Sequence, residues 1–142
     1  MRVGGHPAYY FGLSLTLEGR LNARVFHPDE TTTRLRSEDL ILDKWYYVVM
    51  TVDVDAQELR LYLDGEPVSG SPRKLGGDLA QLWSDSPRDD RSGAYFIGSS
   101  MPDRGAGSFY DAYFQGSLAD VRLYNRALNH TEVQQIWREW QP

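Results

Sequence analysis

Trp45-Tyr-Tyr-Val-Val-Met-Thr-Val-Asp53, followed by Leu59-Arg-Leu-Tyr-Leu-Asp-Gly65, decides how this chain is read. Both stretches alternate with period two, as side chains do on a pleated strand. In the first, Tyr46, Val48, Met50 and Val52 share one face, and Trp45, Tyr47, Val49 and Thr51 share the other. Both faces are apolar, which predicts a central strand. In the second, Leu59, Leu61 and Leu63 face the core while Arg60 and Tyr62 face out. Asp64-Gly65 then supplies the left-handed backbone that a tight hairpin demands. The strand after it is short, because Pro67 has no N–H to give a ladder.

Working outward, Tyr9 to Leu17 places Phe11, Leu13, Leu15 and Leu17 on one face, and Glu18-Gly19-Arg20 turns the chain into Leu21 to His27, a hairpin. Pro28 to Arg36, with Thr31, Thr32 and Thr33, reads as a loop or an edge strand. Ser69 to Gly93 is a long connection in which Leu75, Leu79 and Leu82 suit a short helical turn and Ser84 to Arg91 a solvated loop. Ala94 to Gly98 reads as a strand, and Ser99 to Ala112 as a second long loop rich in Gly, Asp and aromatics.

The ending is Phe114-Gln-Gly-Ser-Leu-Ala-Asp-Val-Arg-Leu-Tyr-Asn-Arg-Ala-Leu128. Leu118, Val121 and Leu123 are its natural core residues, but 118 and 121 cannot share a strand face without an inserted residue. A β-bulge at Ala119-Asp120 resolves this. Asn129 then precedes Glu132 at capping-box spacing, and Val133, Ile136, Trp137 and Trp140 form one helical face, expected to pack on the sandwich through Trp137. Short strands punctuated by turn residues predict an all-β fold, a sandwich or a barrel.

The W-x-x-V strand leading to an L-Y-x-D-G hairpin, and the F-x-G-x-x-x-D-V-R-x-Y-N-R-A-L ending that runs into a helix with a Glu near its start, resemble the laminin G-like group of the concanavalin A-like lectin and glucanase superfamily. The resemblance covers Tyr10 to about Trp137. It implies an antiparallel two-sheet β-sandwich, a jelly roll with a short C-terminal α-helix, spanning residues 1–142 as one domain, and a module that recognises ligands rather than transforming them. Members of the family usually begin with further strands, so this chain starts late. It reads as a trimmed chain, a shortened variant, or one whose missing strand comes from a partner. An uncovered sheet edge has unpaired N–H and C=O groups, through which a homodimer would form.

Bulk properties narrow the classes of function. A chain of 142 residues fits one domain, and a globule of that size buries roughly 68 to 70% of its unfolded surface. The net charge is -5, with the 15 Lys and Arg scattered, so no basic stripe invites nucleic acid. There is no cysteine, hence no disulfide and no thiolate metal site. The longest apolar run, Trp45 to Met50, is far too short to cross a bilayer. Met-Arg-Val-Gly-Gly-His-Pro7 has no apolar h-region, so no signal peptide is read in this chain, and the address of an exported parent lies elsewhere.

Candidate chemistry is sparse. A glucanase needs two carboxylates facing each other across a sugar, presented as E-x-D-x-x-E or E-x-D-x-E on a strand. Neither pattern occurs, and the nearest cluster, Asp53, Asp55 and Glu58, belongs to a hairpin turn, so no enzyme and no catalytic residue are expected. Calcium is the one metal the resemblance admits, and no other cofactor is expected. Asp64, Asp103, Asp111 and Asp120 are its candidate oxygen donors, each with a plainer reading as turn former, bulge cap or solvated side chain. His6, His27 and His130 match no zinc spacing and read as surface residues. Asn129-His-Thr131 is formally a glycosylation acceptor, but a helix cap explains Asn129 better.

What remains is a pair of aromatic and polar loops. Trp83, Asp103, Arg104, Tyr110, Asp111 and Tyr113 are the candidate ligand-binding residues. Aromatic faces stack on the C–H surfaces of sugars while carboxylates and guanidinium groups fix hydroxyls, and the same mixture suits a protein patch. The expectation is a non-catalytic recognition module of a larger extracellular, cell-surface or periplasmic protein, binding a glycan or an extracellular protein, with no membrane insertion. The rival expectation is a structural or assembly domain that packs on its neighbours or on itself and binds no free ligand.

Overall fold

The structure, a computed structural model, describes residues 11–27, 31–76, 97–98 and 114–140. The chain divides into two compact units, Tyr9–Ser84 with Tyr124–Pro142, and Met1–Ala8 with Asp85–Leu123.

The larger unit holds seven strands and a helix among its described residues. They are β1 (Phe11–Leu15), β2 (Arg20–Phe26), β3 (Thr32–Asp39), β4 (Val48–Asp53), β5 (Glu58–Leu63), β6 (Glu66–Pro67), β7 (Arg73–Lys74) and α1 (His130–Trp140). Sheet A is antiparallel in the order β1-β2-β3, and sheet B runs β4-β5-β6 with β7 also on β5. The expected β-sandwich with one C-terminal helix is therefore present.

The sheets form by the alternation already seen in the sequence. Leu21, Ala23, Val25 and Leu35 of sheet A meet Leu59 and Leu61 of sheet B in one buried cluster, completed by Val68 and Leu75 and flanked by Val48, Met50 and Val52. Leu59, Leu61 and Ala23 are wholly buried, and each removes roughly 25 cal/mol per Å² of apolar surface from water. The Glu18-Gly19-Arg20 turn closes the β1–β2 hairpin, with Gly19 at φ 79° and its N–H on the Thr16 carbonyl. Residues Thr32–Asp39 resolve the loop-or-edge alternative as a strand, at the edge of sheet A among the described residues.

Three expectations need correction. Among the described residues β4 lies at the edge of sheet B rather than at its centre, with β5 carrying the pairings to β4, β6 and β7. Its two apolar faces have another cause: Val48, Met50 and Val52 face the inter-sheet core, while Tyr47 and Val49 pack with Tyr62, Leu128, Val133 and Ile136 in a second cluster beneath α1. Tyr62 faces away from the first core, as alternation requires, yet is 2% exposed because the helix covers it. His27, read as a surface residue, is 4% exposed. It continues the inward positions 21, 23 and 25, with Nε2 at 2.7 Å from Thr33 Oγ1.

The helix starts as its spacing predicts. The Glu132 N–H donates to Asn129 Oδ1 at 3.0 Å and the Asn129 N–H donates to Glu132 Oε2 at 2.8 Å, a reciprocal capping box. Leu128, just before the cap, and Val133, one turn in, are 4% and 0% exposed in the same cluster, forming a hydrophobic staple. Trp137 packs on the β5–β6 turn and stacks on Tyr47 with centroids 5.8 Å apart. Asp64 and Gly65 form that turn with φ 51° and 84°, the positive values of a two-residue hairpin loop.

In the other unit the closing motif departs from its reading. Residues 114–123 carry no strand, and Leu118, Val121 and Leu123 are 53%, 59% and 68% exposed. A strand exists only where a neighbour accepts its main-chain bonds, and the Phe114 N–H bond to the Gly98 carbonyl is the one described there. Asp120 does adopt φ 50°, the irregularity expected at this position, but without a ladder it is not a bulge. Of the strand read at Ala94 to Gly98, only Ile97 and Gly98 are described, and they form a bend.

Candidate functional site

The six loop residues singled out for ligand binding, Trp83, Asp103, Arg104, Tyr110, Asp111 and Tyr113, lie outside the described residues. So do His6 and two of the calcium candidates, Asp103 and Asp111. The other two are engaged locally. Asp64 Oδ1 accepts the Tyr47 N–H at 2.9 Å and its Oδ2 faces Lys44 Nζ at 3.5 Å. Asp120 receives both arms of Arg122 at 2.8 Å, so it serves an ion pair and caps no bulge. Among the described residues no group of three His, Asp or Glu side chains is placed to hold a metal ion.

The acidic turn after β4 is structural as well. Asp53 Oδ1 accepts the Ala56 N–H at 2.8 Å, a side-chain turn that Asp and Asn favour. Glu58 takes hydrogen bonds from Arg60 and then Lys74, which hold its carboxyl below the usual carboxylate range. A carboxylate kept ionised is a poor general acid, since that role needs a pKa raised toward the working pH. His130 is on the first turn of α1, its ring stacked on Tyr62 at 5.7 Å.

What the described residues do assemble is a polar face on the outside of sheet A. Pairing sets it in rows: Ser14, Asn22 and Arg36 are mutual cross-strand partners, then Gly12, Arg24 and Arg34, then Phe26 with Thr32. Successive rows on one face are about 7 Å apart. The Arg24 guanidinium sits 5.5 Å from the centre of the Phe26 ring, a cation–π distance. Arg24 faces Arg34 directly, an arrangement in which like charges repel. Asn22 is 7% exposed, with Nδ2 at 3.5 Å from the Ser14 hydroxyl. Glu18 closes one end of the face: hydrogen bonds from Thr16 and from its own backbone hold its carboxyl below the ordinary 4.5, and the Arg36 charge adds to them.

At the rim of this face, where β3 runs beside β7, a shallow cleft of about 680 Å³ is lined by Thr32, Thr33, Arg34, Arg73 and Lys74. Lys74 is held by Glu58 at 3.1 Å, and Arg73 reaches the Arg34 carbonyl through a long 3.4 Å bond. Composition concealed this site, because a net charge of -5 hides a local excess of arginine. The signal available in the sequence was Thr32-Thr-Arg-Leu-Arg36, whose alternation puts Arg34 and Arg36 on one side.

Known proteins fit this architecture. The laminin G-type model of the concanavalin A-like lectin/glucanases superfamily matches residues 2–134. Over 104 residues, 72% of this chain, the sequence is 26% identical to the adhesion G-protein coupled receptor V1 of Danio rerio, of which the match spans 1%. The fold also resembles the crystal structure of an S-layer domain-containing protein (residues 221–444) from Clostridium thermocellum ATCC 27405, with a TM-score of 0.52 and 20% identity over 89% of this chain and 55% of that one. The chain is thus a member of the concanavalin A-like lectin/glucanases superfamily, of the laminin G type.

Proposed function

We propose that this chain is a non-catalytic recognition module of a larger exported or cell-surface protein, and that it binds carbohydrate. The observation that carries this reading is the outer face of sheet A, where the Arg24 guanidinium lies over the Phe26 ring in a row shared with Arg34. Guanidinium donors fix the hydroxyl and carboxylate oxygens of a sugar, and the ring beneath Arg24 holds its guanidinium in place. The loop residues Trp83, Asp103, Arg104, Tyr110, Asp111 and Tyr113 extend the proposed contact set. The likeness to a short stretch of an adhesion receptor supports placement at a cell surface. The acidic groups of the β4–β5 turn, occupied by Ala56 and by Arg60 and Lys74, support a non-catalytic role.

A glycan-array screen of the 142-residue chain, run with and without calcium, tests the proposal. Binding to a defined set of glycans is expected, weakened about tenfold by Arg24→Gln, the loss expected for one charge-assisted hydrogen bond. Absence of binding in both conditions would instead favour an assembly domain. That second reading has its own observation, the exposure of Leu17, Ile41, Leu42 and Trp45 at 105%, 71%, 87% and 54%. The segments that carry them are tied together, since the Leu40 N–H bonds the Gly19 carbonyl at 2.9 Å and the Ile41 N–H bonds the Tyr46 hydroxyl at 2.8 Å.

A further inference from the structure

Among the described residues, the outer edge of β3 combines unpaired main-chain donors with concentrated positive charge. His27 and Thr31 are joined across β2 and β3 by a main-chain bond, the His27 N–H on the Thr31 carbonyl at 2.9 Å. In an antiparallel pair such bonded positions alternate with unbonded ones. Thr33 and Leu35 therefore turn their main-chain groups toward β2, and Thr32, Arg34 and Arg36 turn theirs away from it. The Arg73 side chain confirms this geometry, because Nη1 finds the Arg34 carbonyl on that outward side at 3.4 Å. Among the described residues no main-chain partner takes the outward N–H groups of Thr32, Arg34 and Arg36. The cleft lined by Thr32, Thr33, Arg34, Arg73 and Lys74 runs along this edge.

Charge selects what fits there. No described acidic side chain lies within ion-pair distance of Arg34, and Arg36 feels only the nearby charge of Glu18, whereas Lys74 is partly neutralised by Glu58. Arg34 also lies directly across from Arg24, a like-charge juxtaposition that an incoming carboxylate relieves. We infer that the edge of β3 is a docking site for an extended acidic peptide segment of a partner protein, which adds to sheet A as a further strand. Its main chain pairs with Thr32, Arg34 and Arg36, and acidic side chains at every second position stand beside Arg34 and Arg36. The long Arg73 bond to the Arg34 carbonyl gives way to a peptide N–H, which frees the Arg73 guanidinium for a carboxylate. Strand addition of this kind takes affinity from main-chain bonds and specificity from alternate side chains. The site shares Arg34 with the face proposed for carbohydrate but rests on the main-chain edge of β3, and its test uses no sugar, so it can fail or hold independently of that reading.

The competing role for edge arginines is to keep two copies of the chain from pairing, and one set of measurements separates the two. A fluorescein-labelled peptide of alternating glutamate and valine, matched to the eight residues of β3, is titrated with the chain and followed by anisotropy. Saturable binding is expected, lost when alternate peptide nitrogens are methylated, absent for a lysine–valine peptide, and weakened about tenfold in Arg34→Ser. Arg34→Lys, which keeps the charge and the fold, should recover most of it, while Arg138→Ser on α1 changes nothing. Equal binding by the methylated peptide overturns the inference, since charge alone then suffices. So does the absence of peptide binding together with self-association of Arg34→Ser in light scattering, which assigns the arginines to guarding the edge. A dimer of the unaltered chain that the peptide does not dissociate gives the edge to a second copy and overturns it too.

Discussion

Gly65 shows how much one position can be made to do. Its φ of 84° disfavours an ordinary side chain, and a Cβ there would stand 2.6 Å from Trp137 Cδ1, so the turn and the seat of α1 depend on the same missing atom. The backbone strain alone is about 1 kcal/mol. Gly65→Ala should therefore destabilise the chain by about 2 kcal/mol in urea unfolding, with a change in Trp fluorescence as Trp137 shifts. Glu132 contributes to the pH dependence, beside Glu18 and Glu58, whose carboxyls are also held low. Arg126 grips it with two bonds of 2.8 and 2.7 Å, and these, with the Asn129 N–H, lower its pKa from 4.5 to about 2. Because the folded value lies below the ordinary one, the contribution is fully present above pH 4.5 and drains away as pH falls toward 2. Glu132→Gln should flatten that stretch of the stability profile, measured as melting temperature against pH. These local devices were legible in advance: the Asp-Gly turn and the Asn129–Glu132 spacing are satisfied within a few residues, so sequence alone specifies them.

At the scale of elements, α1 is fastened to the outer side of sheet B by few but well-buried groups. Val133 is wholly buried against Tyr62 and Leu128, and Tyr47, Trp137 and Trp140 form a chain of rings with centroids 5.5 to 6.0 Å apart. Val133→Ala should cost about 2 kcal/mol by cavity formation, and hydrogen exchange should show α1 opening well before β5. Removing the cap with Asn129→Ala should cost about 1 kcal/mol. The helical face was readable from its period, but the surface it covers was not. Two apolar faces on Tyr46 to Val52 stated correctly that both sides of β4 are covered. They could not state that one face is covered by a helix arriving from far later in the chain, and among the described residues β4 pairs on one side alone.

For the molecule as a whole, the apolar residues left outside are as informative as the core. Leu13 and Leu15 share the inward face with Ala23 and Leu21 yet remain 44% and 45% exposed, because β1 is the outermost described strand of sheet A. Ile41→Ser combined with Leu42→Ser should leave unfolding within about 0.5 kcal/mol of the parent while lowering any concentration-dependent association in sedimentation, the outcome that would give the assembly reading its weight. Alternation of apolar and polar side chains, the turn residues and the capping spacing were determined by sequence alone, since each acts through covalent neighbours and the backbone's narrow menu of conformations. Which described strands lie at edges, that helix α1 buries Tyr62, that His27 turns inward and that Arg24 comes to lie across from Arg34 with the cleft at the rim were decided only by tertiary structure. Burial and charge clustering are set by what another part of the chain brings alongside, and no local pattern records that.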